Sequence, residues 1–180
     1  MLRPYGNCAL DRRLRSGHPI PMRSGIGYDI HRFQDGRRLV LGGLEFPGER
    51  GLAGHSDADV LLHAIIDALL GGAGLGDIGR HFPPDDPQWA GADSASLLAR
   101  TCETVRGAGF EVVNVDATVI AERPRLAERL DDMRVRIAAV IGIDRARVNV
   151  KATTNEGIGD IGRGEGMAAL AIATLYDGNF

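Results

Sequence analysis

In SGIGYDIHRF (24–33) the large apolar positions are β-branched or aromatic, and the run ends in the turn residues QDG, which predicts a strand. RRLVLGGLEF (37–46) reads as its hairpin partner, broken at Gly42 and Gly43. The period then changes. From 56 to 70, Val60, Leu61, Ala64, Ile65, Ala68 and Leu69 recur at the spacing of one helix face, and GGAG stops that helix. Residues 75–93 carry too much Gly, Pro and Asp for a regular element, and a connection this long in a compact domain is usually functional.

Beyond that loop, Asp93 or Ser94 suits the cap of a helix through ASLLARTCETVRGAG, stopped by Gly107 and Gly109. FEVVNVDATVIAE alternates like a strand. Pro124 suits the first position of a helix over 124–142, and RVNVKATTNE predicts another strand running into the glycine loop GIGDIGRGEG. GMAALAIATLY stays open: Ala and Leu favour helix, but the run is short enough for a buried strand. Strands and helices are mixed, with an early hairpin. The expected class is α+β, a two-layer sandwich with a mixed sheet and helices on one face.

Length and charge then narrow the picture. The chain's 180 residues suit a single domain over 23–180, preceded by 1–22 as a disordered or dispensable extension. That extension carries Arg3, Arg12, Arg13 and Arg15 against one acid, Asp11, and lacks the apolar core of a secretory signal; an organelle-targeting peptide is the other reading. A net charge of −3 without a basic cluster in the body argues against nucleic acid as a partner. The longest apolar run is about half of what a bilayer span needs, so no membrane partner is expected. Cys8 and Cys102 are too far apart for a CxxC metal site and too few for a disulfide framework, which suits the cytoplasm.

Three of the five histidines lie in two short stretches, GIGYDIHRF and GHSDADVLLH, among Asp29, Asp57 and Asp59. Residues i and i+2 of a strand share a face, so Asp29 and His31 project together. Imidazole nitrogen and carboxylate oxygen are zinc donors, and a catalytic zinc keeps three protein ligands and an open position. His63 on the following helix offers the third. It lies one turn from both Asp59 and Asp67, and either carboxylate could orient its second nitrogen. The alternative is a polar surface in which Asp57 and Asp59 merely cap the helix.

GIGYDIH, GHSDADVLLHAIIDALLGGAGLGDIGRHFP, GADS, NVDATVIAERP, VNVKATTNEGIG and GRGEG, in this order over about 24–176, resemble the 2-C-methyl-D-erythritol 2,4-cyclodiphosphate synthases of the non-mevalonate isoprenoid pathway. The resemblance implies a zinc site at Asp29, His31 and His63, with Asp29 and His31 also touching substrate, and a second divalent ion, Mg²⁺ or Mn²⁺, at Glu156. It implies phosphate contacts from His55 and Ser56, with His55 and Thr154 assisting the transition state. Asp77, Ile78 and Gly79 fall where that family holds the methylerythritol group, and 121–127, with Ala121 and Arg125, where it cradles cytidine. Thr153, Thr154, Asn155 and Glu156 fall on its diphosphate segment, and Asp86, Asp160 and Arg163 at further substrate positions. The implied assembly is a homotrimer with sites at subunit interfaces, taking a small-molecule nucleotide diphosphate.

Two positions depart from the family pattern. Asp160 stands where an aromatic is common, near the threefold axis proposed to bind an isoprenoid diphosphate, so that secondary binding is not carried over. Pro84 replaces a common acid, with Asp85 and Asp86 beside it. The implied reaction closes a cyclic diphosphate by attack of the substrate's own 2-phosphate, releasing CMP. Competing readings are a zinc phosphohydrolase, a non-catalytic sensor on the same fold, and a dinucleotide enzyme suggested by Gly157, Gly159 and Gly162. The last would need a βαβ unit that the remaining chain is too short to supply.

Overall fold

The computed structural model describes residues 21–178; the greater part of the predicted extension, 1–20, lies outside them. Five strands form the main sheet in the order β4-β1-β7-β5-β6: Met22–Gln34 (β1), Gly51–Leu52 (β4), Phe110–Ile120 (β5), Val148–Thr153 (β6) and Gly166–Asp177 (β7). β5 and β6 run parallel and the other neighbours antiparallel, which makes the sheet mixed. Helices Val60–Ala73 (α1), Ile78–His81 (α2), Ser94–Gly107 (α3), Leu130–Ile141 (α4) and Gly159–Gly162 (α5) complete the α+β fold, with α1, α3 and α4 making the second layer.

Three elements differ from the sequence expectation and a fourth, left open by it, is decided, each for a tertiary reason. The strand begins at Met22, two residues before Ser24, because Met22 already pairs with Tyr176 of β7. Leu39–Leu41 (β2) and Leu44–Phe46 (β3) pair with each other, not with β1. Gly42 and Gly43 sit at φ 62° and 72°, the left-handed pair that a tight two-residue hairpin demands. Pro124 does not open a helix; it lies in a bend, and α4 starts only at Leu130 after a 3₁₀ turn at Ala127–Arg129. The undecided segment 166–177 is a strand. β7 lies between β1 and β5, so ladder bonds on both sides override the helix preference of its alanines.

α1 is apolar nearly all round because it is covered nearly all round, by the sheet on one side and α3 on the other. Only Asp67 and Gly71 escape full burial among its residues. Asp59 caps its start, and Gly74 in a left-handed conformation closes its end. The long connection from 75 to 93 is mostly irregular as expected, holding only α2 and a 3₁₀ turn at Pro87–Trp89. The glycine loop leads through one turn of helix, α5, into the antiparallel strand β7, a topology incompatible with a dinucleotide-binding βαβ unit.

The sheet's second face is open. Ile26, Tyr28 and Ile30 of β1 and Leu170 and Ile172 of β7 are 70%, 51%, 50%, 39% and 50% exposed. Further along the same face, Lys151 of β6 bonds both carboxylate oxygens of Asp116 on β5 at 2.6 Å.

Candidate active site

β1 presents Asp29 and His31 toward α1, and the first turn of α1 presents His63 toward β1. Asp29 Oδ2 lies 2.9 Å from His31 Nε2 and 2.9 Å from His63 Nδ1, and the two nitrogens are 3.3 Å apart. Donors about a tetrahedral zinc, each roughly 2.0–2.1 Å from the ion, are spaced about 3.3–3.4 Å apart. The donor set and its spacing therefore fit a three-ligand metal ion. Among the described residues, these three form a group whose ligand atoms all fall within 4.8 Å of one another.

The surrounding hydrogen bonds aim the donors. Ile30 N–H donates to Asp29 Oδ1 at 2.9 Å, leaving Oδ2 for the site. Burial would raise the Asp29 carboxyl, but hydrogen bonds and charge from His31 and His63 hold it well below the usual carboxylate range. Burial likewise pushes the His31 imidazole down, and the hydrogen bond and charge of Asp29, with a hydrogen bond to the Ala53 backbone, more than offset it; the net shift is upward. A negative Asp29 beside two imidazoles suits a divalent cation.

Neither carboxylate expected to orient His63 touches it. Asp59 is fully buried, taking Leu62 N–H (3.1 Å) and Gly42 N–H (3.0 Å) on Oδ1 and Gly43 N–H (2.7 Å) on Oδ2, which ties the hairpin turn to α1. Asp67 accepts Ile78 N–H at 2.8 Å and so anchors α2. His63 Nε2 turns instead to two hydroxyls, Ser94 Oγ at 3.0 Å and Ser56 Oγ at 3.1 Å.

A cavity of about 290 Å³ opens over this group. Asp29, His31, His55, Ser56 and His63 form its polar floor, and Ile78, Gly79, Phe82, Pro84, Trp89 and Leu97 its largely apolar wall. Phe82 and Trp89 meet edge to face at 5.0 Å, with the Arg100 guanidinium over the Trp89 ring. Asp77 and Asp86 serve as caps at the rim, of α2 and of the 3₁₀ turn respectively, and are not among the lining residues. Sequence reasoning missed the aromatic wall and Arg37, whose guanidinium donates to the carbonyls of Gly54 (2.8 Å) and Ser56 and so holds the His55 segment. No spacing rule links Arg37 to that segment; only the fold brings them together.

The remaining candidates gather elsewhere. Thr153, Thr154, Asn155 and Glu156 follow the end of β6, three strands from β1, or about 14 Å at ordinary strand spacing. Thr154 Oγ1 donates to Glu156 Oε1 at 3.0 Å, and Glu156 sits at φ 52°, a left-handed conformation that costs a non-glycine residue about 1 kcal/mol or more. Glu122, within the 121–127 segment, takes Asn155 N–H (2.9 Å) and Gly157 N–H (3.3 Å) on one oxygen, bracing this loop. Buried Ala121 donates its N–H to Thr153 O at 3.0 Å, and exposed Arg125 lies four residues on. Asp160 pairs with Arg163, which also bonds Glu165 at 2.9 Å. Asp160 and Glu165 line a second cleft of about 240 Å³ with Ile30, Arg32 and His31, a residue it shares with the first.

A family model described as the YgbB family matches residues 22–176. The chain belongs to the YgbB family. Of the curated relatives, the 2-C-methyl-D-erythritol 2,4-cyclodiphosphate synthase of Symbiobacterium thermophilum is 58% identical over 86% of this chain and 98% of its own length. A bifunctional IspD/IspF enzyme of Anaeromyxobacter sp. is also 58% identical, over 91% of this chain, which spans only 42% of that longer protein. The bifunctional IspDF from Campylobacter jejuni superposes with a TM-score of 0.85 at 43% identity, covering 88% of this chain and 43% of that one. The IspF of Plasmodium falciparum in complex with CDP gives 0.76 at 30% identity, covering 90% and 100%. This YgbB chain is thus an enzyme of the cyclodiphosphate-synthase type, a phosphorus–oxygen lyase of isoprenoid biosynthesis. Among its described residues, no helix is long and apolar enough to cross a membrane.

Proposed function

We propose that the chain converts 4-diphosphocytidyl-2-C-methyl-D-erythritol 2-phosphate into 2-C-methyl-D-erythritol 2,4-cyclodiphosphate and CMP. The observation that carries this reading is the convergence of Asp29, His31 and His63 beneath a cavity with a polar floor and an apolar wall. Bound at those three residues and at Glu156, zinc and a second divalent ion, Mg²⁺ or Mn²⁺, supply positive charge for the diphosphate oxygens. His55 and Ser56 contact the phosphates from the floor, while Ile78 and Gly79, with Asp77 at the rim, hold the methylerythritol carbons. Thr153, Thr154 and Asn155 steady the diphosphate, with Asp86, Asp160 and Arg163 at the substrate's margins, and 121–127, including Ala121 and Arg125, receives cytidine.

The chemistry needs no strong base. A phosphate monoester, with a second pKa near ~6, is largely a dianion at neutral pH. One of its oxygens forms a new bond to the β-phosphorus. The bond from that phosphorus to the bridging oxygen breaks, and CMP departs with the electron pair. Holding nucleophile and electrophile in line, excluding water and neutralising charge are what the protein contributes. His55 and Thr154 stabilise the charge that develops, and the connection at 75–93 covers the reacting centre.

The enzyme works as a homotrimer in the cytoplasm. Two features support the assembly. The metal group faces the helix layer from β1, whereas the register puts Thr153 on the open face at the far edge of the same sheet. One small molecule does not bridge those positions within a chain, but it can across a boundary between chains. The open face also exposes a contiguous apolar patch of the kind that marks a protein interface. Residues 1–21 are dispensable to this activity.

Phosphorus NMR on turnover in ¹⁸O-labelled water tests the reaction. A single cyclic diphosphate, with no label in it or in CMP, is expected. Label in CMP or in a linear phosphate would mean that water attacks, and would replace the cyclase reading with hydrolysis.

A further inference from the structure

We propose that Ser94 and Asp57 are positioning residues which hold His63 in the tautomer that a metal requires, an inference that rests on the metal-site reading above. The argument is a count of protons. A carboxylate only accepts hydrogen bonds, and a serine hydroxyl has one proton to give. Asp57 Oδ1 lies against Ser94 Oγ, and Asp57 Oδ2 accepts Ser94 N–H at 3.0 Å. The single proton of Ser94 Oγ is therefore committed to Asp57, and toward His63 Nε2, 3.0 Å away, that oxygen can only accept. The neighbouring hydroxyl, Ser56 Oγ, accepts Ala58 N–H at 3.1 Å and stands 3.1 Å from the same ring nitrogen. With a metal on Nδ1, the ring's one proton is on Nε2, and Ser94 Oγ is placed to accept it. Nδ1 faces Asp29 Oδ2 at 2.9 Å and His31 Nε2 at 3.3 Å, so its lone pair serves a metal there, and without one a proton on Nδ1 donates to the carboxylate.

The alternative is that Ser94 merely starts a helix. The cap of α3 is Asp93, whose side chain accepts Ala95 N–H at 3.2 Å, so the Ser94 hydroxyl has no capping duty. It is completely buried, in contact with the imidazole of a residue on another helix. Asp57 is itself pinned: its N–H donates to Ala92 O at 3.0 Å, and its Oδ1 also accepts Asp59 N–H at 3.2 Å. Carboxylate, hydroxyl and imidazole thus form a rigid relay from the segment before α1, through the start of α3, back to α1. Such outer partners fix ring orientation and raise ligand basicity, and losing one typically costs 10- to 100-fold in metal affinity.

The test uses the purified full chain with Ser94→Ala, Ser94→Thr and Asp57→Asn, read in two ways. The first is the ¹⁵N spectrum of the His63 ring in zinc-loaded protein. Wild type should show protonated Nε2 and metal-bound Nδ1, and Ser94→Ala a mixture. The second is zinc affinity by chelator competition, with Co²⁺ absorption reporting ligand geometry. Ser94→Ala should bind zinc about 10- to 100-fold more weakly with an unchanged far-ultraviolet circular dichroism spectrum. Ser94→Thr, which keeps the hydroxyl, should recover affinity. Should Ser94→Ala fail to fold, Asp57→Asn carries the same two readouts. A zinc-loaded wild-type ring protonated on Nδ1, or zinc binding by Ser94→Ala or Asp57→Asn within twofold of wild type, overturns the relay while the metal site stands. Failure of wild type to bind any stoichiometric metal would instead overturn the metal-site reading and the relay with it.

Discussion

Gly27 lies directly beneath the carbonyl of Ala64: a methyl group on its Cα would come within 1.9 Å of that oxygen. Gly25 stands in the same relation to Ala68, at 2.0 Å. These two positions let the backbone of α1 press onto β1, and that approach brings His63 to Asp29 and His31. Gly27→Ala should therefore push the helix off the strand and spread the three donors. The expected result is about 1–3 kcal/mol of lost stability by urea unfolding, together with loss of bound metal. Full zinc content in a stable Gly27→Ala protein would show that the close approach is not what assembles the site.

His63→Ala removes one of three donors while leaving Asp29 and His31 in place on their strand. Stoichiometric zinc should disappear along with activity, and the helix content should remain. If the purified variant retains zinc at wild-type stoichiometry, His63 is not a ligand.

Glu156 separates the second ion from the first. Glu156→Gln preserves size and removes charge at a residue about three strands from the zinc group, so zinc should stay bound while the Mg²⁺ or Mn²⁺ dependence of turnover changes. Wild-type metal dependence would end the role assigned to this carboxylate.

The open sheet face carries the assembly prediction. Ile172, half exposed at the centre of the patch, pairs with Ile26 across β1 and β7. Ile172→Asp should lower the mass seen by light scattering from trimer to monomer. Because the two half-sites belong to different chains in the proposed trimer, the monomer should keep zinc and lose turnover. A variant that stays trimeric, or a fully active monomer, would contradict the shared site.

Asp67 supplies a dependence on pH. Burial raises its carboxyl pKa against the opposing bond from Ile78 N–H, with Asp77 and Asp29 adding in the same upward direction. The folded chain therefore holds this proton more tightly than the unfolded chain, whose value is near ~3.9. The associated stability is complete below the unfolded value and is lost as pH rises through the folded one. Asp67→Asn keeps an acceptor for Ile78 and does not titrate. Wild type should lose stability relative to this variant as pH climbs from about 4, and the gap should become constant once Asp67 is ionised in both states. Parallel stability curves for the two proteins between pH 3 and 8 would contradict the shift.

How the site was legible depends on distance along the chain. Asp29 and His31 could be read together because two residues in a strand share a face, and that rule needs nothing beyond the strand. His63 could be named as the third donor, but its orientation could not. The helical spacing pointed to Asp59 and Asp67, whereas the hydroxyl of Ser94, on a helix thirty-one residues later, reaches it. Asp59 was taken up by the hairpin turn and Asp67 by α2, both tertiary demands.

The elements whose period is strong and whose ends are marked, β1, β5, β6, α1 and α3, were legible from local pattern, and with them the α+β class. These follow from local sterics and from alternation of apolar and polar residues, which act within a few positions. Long-range packing was needed to make 166–177 a strand, to pair β2 with β3, and to start α4 at Leu130 and not at Pro124. In each case local preference was weak or divided, and burial against distant residues settled it. The same holds for the site. The donors are set by residue type and spacing, but their closeness depends on two glycines that admit α1 to the face of β1, a contact between segments about forty residues apart.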